Sequence, residues 1–240
     1  MDLKIKDVAE LLNVSESTIY RWITDGKIPS YQINKHYFFS RPEIENWVIS
    51  HKISSNHGSH SPSQSLEASH FPQSRRKTGG SKQFGLYRAV HKGGVLHLKE
   101  GKTKEEVIRC TMQRVASDLN LDAELMTDLL LDRERLMPTS LNNGIAVPHT
   151  RESLLNSHHD AVVVVFLDQP LDYGALDQIP VHTLFFLFAC EDKRHLNLLA
   201  KIAHLSQLSE SHDLFWSKPT KEDFLKHIKE WESHIPNQTE

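Results

Sequence analysis

The stretch Leu141-Asn142-Asn143-Gly144-Ile145-Ala146-Val147-Pro148-His149-Thr150 combines a reactive side chain with a means of presenting it. Gly144 loosens the entry, Ile145 to Val147 are fit for a buried strand, and Pro148 stops the ladder because it has no N–H to donate. This pattern predicts an imidazole at a strand end, at the surface, on a stiffened backbone. A histidine held there can serve as a base, a metal ligand or a phosphoryl acceptor. A plain surface histidine after a loop gives the same pattern.

The elements that would position His149 must come from a chain of 240 residues, 38% hydrophobic and 25% charged, which are the proportions of a soluble globular protein with room for two small domains. The longest apolar runs, Ala161 to Leu167 and Leu184 to Cys190, have seven residues each, far short of the roughly 20 needed to span a bilayer, so no membrane insertion is expected. Met1 is followed by Asp2, Lys4, Lys6 and Asp7 without an apolar signal core, and Cys110 and Cys190 make no disulfide framework. Both features point to a cytoplasmic protein. Charge is unevenly spread: residues 1–52 carry seven basic and seven acidic side chains, residues 53–83 four basic against Glu67 alone, and the remainder a net charge of −6.

At the N-terminus, Ile5, Val8, Ala9, Leu11 and Leu12 repeat at helical spacing. Asn13-Val14-Ser15 then interrupts, and Ser15 is a suitable cap for a second helix from Glu16 to about Asp25. Pro29 blocks continuation, Tyr31 to Phe39 alternates as a hairpin around Asn34-Lys35, and Pro42 starts a third helix that buries Ile44, Trp47 and Val48. The segment DVAELLNVSESTIYRWITDGKIP, the hairpin and RPEIENWV together resemble the excisionase-type, or MerR-like, helix-turn-helix domain. The resemblance implies DNA binding through the second helix and the small wing. Ser15, Ser17, Thr18, Tyr20 and Arg21 would contact groove and phosphates, with Lys27 and Lys35 on the backbone. Ile19 and Trp22 are core positions. A domain with no net charge limits affinity, so tight binding calls for dimerisation or for help from Arg75-Arg76-Lys77.

Residues 53–83 are rich in Ser, His, Gly, Pro and Gln and read as a disordered tether; His57, His60 and His70 lack a framework that would make them a metal site. Residues 84–240 read as a second domain of α/β class. A helix and a strand follow Phe84, and a helix capped by Thr103 with Glu106 in a capping box extends to Leu119. Another helix runs from about Asp122 to Arg133. Strands lie before His149, at Ala161 to Leu167 and at Thr183 to Ala189, with a turn at Asp168-Gln169-Pro170, and helices near Lys193 to Gln207 and Lys221 to Trp231 close the chain. Strands apolar on both faces indicate a mixed β-sheet flanked by helices on each side.

Arg133-Glu134, Thr139, NNGIAVPH, HTLFFLFAC and Arg194-His195-Leu196 together resemble enzyme IIA of the fructose, mannitol and nitrogen-regulatory class (type 2) of the sugar phosphotransferase system. The resemblance implies that His149 accepts a phosphoryl group from phospho-HPr, with Arg133 and His195 as the other catalytic residues. The residue types suit that chemistry. Phosphoryl transfer mainly needs positioning and neutralisation of the equatorial oxygens, which an Arg fork and an imidazole N–H supply without metal or other cofactor. A zinc site from His149, His195 and a neighbour is the chemical rival. His158, His159, His182 and His204 have no motif support; His159 or His182 could line the site, but surface or core roles are expected for them.

The chain contains no enzyme IIB domain and no permease, and its DNA-binding head is unusual for a transport component. The combination resembles the two-domain nitrogen-type enzyme IIA proteins of chlamydiae and implies regulation, with the state of His149 biasing DNA binding or the choice of a protein partner. Because phosphorylation adds up to about two negative charges, it would weaken DNA binding by an already acidic domain. Two other functions fit the same residues: a transcriptional regulator whose enzyme-IIA-like part is a non-catalytic sensor or homodimerisation module, and a sugar-transport phosphodonor to a separate IIB protein.

Overall fold

The computed structural model describes residues 2–12, 14–34, 36–54, 84–150 and 159–234. Lys35, the linker histidines, the Arg75-Arg76-Lys77 cluster and His158 lie outside them. The N-terminal part consists of β1 (Asp2–Lys4), α1 (Ile5–Leu12), α2 (Glu16–Thr24), β2 (Tyr31–Ile33), β3 (His36–Ser40) and α3 (Arg41–Ser54). Ser15 caps α2, its hydroxyl accepting from the Thr18 amide at 3.2 Å. Ile19 is fully buried, while Trp22 is half-buried against Trp47, with ring centroids 5.5 Å apart. The expected hairpin is present, and β1, which the sequence pattern did not reveal, adds to it in the order β1-β3-β2.

The C-terminal part runs α4 (Gly85–Gly93), β4 (Val95–Leu98), α5 (Lys104–Val115), α6 (Ala123–Leu136), β5 (Ile145–Ala146), β6 (Ala161–Leu171), β7 (Val181–Phe188), α7 (Asp192–Leu205), α8 (Ser209–Trp216) and α9 (Lys221–His234). Its sheet has the order β4-β6-β7-β5, with β6 and β7 antiparallel and both outer pairs parallel. All eight residues of β7 and the first seven of β6 are buried, as strands covered on both faces require. Thr103 caps α5, accepting from Glu106 N at 3.2 Å, and the Glu106 carboxylate reaches back to Lys102 N at 2.7 Å.

Three expectations need correction. Strand β6 does not end at Asp168-Gln169-Pro170. It continues to Leu171 through an irregularity between Phe166 and Leu171, where the three residues are exposed and Pro170 is tolerated. Helix α8 was not anticipated, because it buries only Ser211 and Phe215 and so leaves little apolar period to read. Pro148 does not stop the ladder. It lacks a donor, but its carbonyl accepts from Leu187 N at 2.9 Å, and His149 bridges Leu187 in parallel.

The approach to His149 is a tight reversal. Thr139 O accepts from Val147 N at 2.9 Å and Ile145 O from Leu141 N at 2.7 Å, so the chain folds back around Asn142, Asn143 and Gly144. Gly144 has φ +72°, and a Cβ there would lie 2.6 Å from His182 Cδ2 and 2.8 Å from Pro180 O. Gly144→Ala should therefore destabilise the protein by about 2 kcal/mol, from left-handed strain plus the clash, as read by urea denaturation. An unchanged midpoint would show that the reversal tolerates a side chain.

Candidate functional site

His149 is carried by the segment that prolongs β5 along β7. Its Nδ1 lies 2.7 Å from Val147 O. A carbonyl can only accept, so Nδ1 bears a hydrogen, and whenever the ring is neutral its lone pair lies on Nε2. This is the nucleophilic tautomer, fixed by a backbone contact within the same motif.

His195 is the fourth residue of α7, and its ring stands edge-on to that of His149, with centroids 5.0 Å apart and an interplanar angle of 61°. Burial holds the His195 imidazole well below the usual histidine range, and His149, Arg41 and Arg133 add to the shift. The ring is neutral at neutral pH and can present one N–H donor.

Arg133 lies near the end of α6 and is 3% exposed. It donates from Nη1 to Met137 O at 2.9 Å and from Nη2 to Asn46 Oδ1 at 3.3 Å. Its sequence neighbours are engaged elsewhere. Asp132 pairs with Arg135 at 2.6 Å, and Glu134 accepts both the amide and the hydroxyl of Thr139, with Lys104 Nζ 3.8 Å away. Burial raises the Glu134 carboxyl pKa, against the hydrogen bonds from Thr139. The Arg133-Glu134 pair thus splits its tasks: the glutamate clamps Thr139 at the start of the reversal, and the arginine turns towards the site.

The structure corrects the expectation that His149 sits at the surface. The residue is 0% exposed, and residues that the sequence did not single out crowd the site. Glu45, Asn46 and Arg41 come from α3 of the N-terminal part. Glu45 Oε1 stands 3.4 Å from His195 Nε2 and accepts from Arg41 Nε at 3.0 Å. Ligand atoms of Glu45, His149 and His195 all lie within 4.8 Å of one another, a set that has the donor types of a metal site. The electrostatic influence of Arg41 and Arg133 on His195 opposes a cation there and favours an anion. No signal in the sequence joined α3 to these residues, because the contact links positions roughly 90 to 150 residues apart.

His182 is placed elsewhere, against Gly144 and on Trp216, with ring centroids 4.7 Å apart; His204 packs on Trp231 and His159 is exposed. On α2, Ser17, Tyr20 and Arg21 are exposed. Ser15 is tied to its cap, with the hydroxyls of Ser17 and Thr18 at 2.7 and 2.9 Å, and Lys27 pairs with Asp25 at 3.0 Å.

A buried neutral histidine makes stability depend on pH. The His195 pKa is depressed on folding, so below its unfolded value near 6.5 the unfolded chain binds the extra proton and stability falls with acidification. His195→Gln should flatten the slope of unfolding free energy between pH 5 and 6.5, measured by denaturant titration. Identical slopes in the two proteins would contradict a depressed pKa.

Comparisons with known proteins agree with this architecture. The family described as "Phosphoenolpyruvate-dependent sugar phosphotransferase system, EIIA 2" matches residues 89–231, and the family described as "Helix-turn-helix domain" matches residues 3–52. A nitrogen regulatory protein of Pseudomonas aeruginosa is 38% identical over 125 residues, 51% of this chain and 80% of that protein. The Escherichia coli nitrogen regulatory protein is 31% identical over 106 residues, 42% of this chain but only 63% of its own length. The crystal structure of nitrogen regulatory protein IIA-Ntr from Neisseria meningitidis superposes with a TM-score of 0.50 at 21% identity, covering 59% of this chain and 92% of that one, and shows the shared fold. With more than half of its length matched, the chain belongs to the EIIA type 2 family of the phosphoenolpyruvate-dependent sugar phosphotransferase system and carries an N-terminal helix-turn-helix domain.

Proposed function

We propose that this chain is a regulatory phosphocarrier in which His149 accepts a phosphoryl group from phospho-HPr and its state governs DNA binding or a regulated protein partner. The observation that carries this reading is the Val147 O contact, which leaves the nucleophilic lone pair on His149 Nε2, beside the His195 ring. In the transfer, Nε2 attacks phosphorus while the donor's bond to phosphorus breaks, and Nδ1–H stays on Val147 O. Arg133 and the N–H of His195 would hold the equatorial oxygens as charge develops on them.

The proposed organisation is a DNA-binding domain at 1–52, a linker at 53–83 and a phosphocarrier domain at 84–240. Ser15, Ser17, Thr18, Tyr20 and Arg21 are the proposed groove and phosphate contacts, Ser17, Tyr20 and Arg21 being exposed on α2, and Lys27 and Lys35 are proposed to contact the DNA backbone. A homodimer would raise DNA affinity. No helix among the described residues is long and apolar enough to cross a membrane, and a cytoplasmic site of action is proposed.

Phosphoenolpyruvate, enzyme I and HPr should label the wild type and leave His149→Ala unlabelled; label retained in that variant would move the acceptor elsewhere. Arg133→Lys should slow labelling by about tenfold or more, because an ammonium cannot reproduce the planar fork. The burial of His149 favours one alternative, a transcriptional regulator whose enzyme-IIA-like domain is a sensor without phosphotransfer. Specific DNA binding by a protein that takes no label would establish it.

A further inference from the structure

We propose that α3 of the helix-turn-helix domain is an intramolecular ligand of the phosphoacceptor pocket, seating the Glu45 carboxylate where phosphoryl oxygens would lie, so that docking and phosphorylation of His149 exclude one another. The proposal rests on His149 being the acceptor.

Two donors that a phosphoryl group would use each face a side-chain oxygen of α3. His195 Nε2 faces Glu45 Oε1 at 3.4 Å, and Arg133 Nη2 donates to Asn46 Oδ1 at 3.3 Å. Glu45 is 2% exposed, so its charge has been taken out of water, which is costly unless it meets compensating charge. Arg41 supplies that charge from the preceding turn of α3 at 3.0 Å and also reaches across to Asp192 on α7 at 2.6 Å. A second and more exposed bridge ties α7 to α1, from Lys193 Nζ to Asp7 Oδ1 at 2.7 Å. Apolar residues of the N-terminal and C-terminal parts belong to one continuous core cluster.

The docked helix therefore offers the pocket an anion and a neutral oxygen in place of the phosphoryl oxygens. A phosphoryl group on His149 brings nearly two negative charges and three oxygens into the space that the Glu45 carboxylate occupies. Like charges in a site closed to water cannot both stay, and α3 is the part that can leave. The exposed face of α2 is not used in docking, so the contact controls where the DNA-binding domain sits and leaves its reading surface uncovered.

The test uses the full chain and a probe independent of HPr. Diethyl pyrocarbonate acylates accessible neutral imidazoles, and peptide mass spectrometry follows His149 against the exposed His159 as internal reference. In the wild type His149 should react far more slowly than His159. Arg41→Glu sets an acid against Asp192 and Glu45, and should raise both the His149 acylation rate and the rate of phosphotransfer from phospho-HPr by about tenfold, since apparent reactivity scales with the open fraction. Adding Asp192→Arg should restore protection and slow transfer again, which a merely misfolded variant would not do. Acylation of wild-type His149 at the rate of His159, or protection unchanged by Arg41→Glu, overturns the docking. If acylation responds as expected but no variant accepts phosphate, the docking stands and the acceptor role of His149 falls.

Discussion

Strand β7 imposes the constraint on which the site depends. Its eight residues are all buried, so none of its peptide groups can turn to water and each needs a partner within the protein. Strand β6 satisfies one edge along most of its length. On the other edge β5 has only two paired residues, and a buried amide left without a partner beyond it would cost about 1–3 kcal/mol. Pro148 O meets that need at Leu187 N, which obliges the chain after β5 to keep running beside β7 and brings His149 level with Leu187. Proline is suited to this step, since the edge asks for an acceptor and its missing donor is not required. The position of the imidazole is thus a consequence of backbone pairing, and its tautomer follows from the next carbonyl back, that of Val147.

Electrostatics then decides what such a position can hold. Burial keeps His195 uncharged, so the local positive charge comes from the guanidinium groups of Arg41 and Arg133. Two carboxylates answer them in the docked arrangement, Glu45 beside His195 and Asp192 on α7, both paired with Arg41. At an effective dielectric near 20, two unit charges roughly 5 Å apart interact by about 3 kcal/mol, and a phosphoryl dianion next to a carboxylate roughly doubles that repulsion. An exposed bridge such as Lys193 with Asp7 contributes no more than about 1 kcal/mol. The repulsion exceeds what that rim bridge alone can hold against it, so under the proposed docking a charge on His149 works against a contact that the Arg41–Asp192 pair and the shared apolar core maintain.

What was legible in the sequence is what local chemistry writes. Ser15 and Thr103 marked helix starts because a cap is a contact between residues three apart, and the apolar runs of β6 and β7 were readable because burial on both faces leaves no polar alternation. The spacing of Arg133, His149 and His195 became informative only through resemblance, since each side chain alone has an ordinary surface role. Three features were hidden for definite reasons. Strand β1 is three residues long and depends on β3 for its pairing, α8 buries two side chains, and β6 passes through a proline by way of an irregularity. Glu45 and Asn46 look like the solvated face of a short helix, and only the fold reveals that another domain lies against it.

The docked arrangement also changes how the uneven charge of the chain is to be understood. From charge alone, phosphorylation would make an acidic body more acidic and would weaken any hold the protein has on DNA. In the folded protein the neutral head is fastened to that body through α1 and α3 while α2 faces outward, so any DNA on α2 is held within the field of residues carrying a net charge of −6. That field decays over a Debye length of about 8 Å at physiological ionic strength. A head released from α7 moves beyond it, whereas the added phosphoryl charge stays behind on the body. Release therefore opposes the simple electrostatic penalty of phosphorylation, and the balance between them is set by how firmly Glu45 and Arg41 hold α3 against His149 and Asp192.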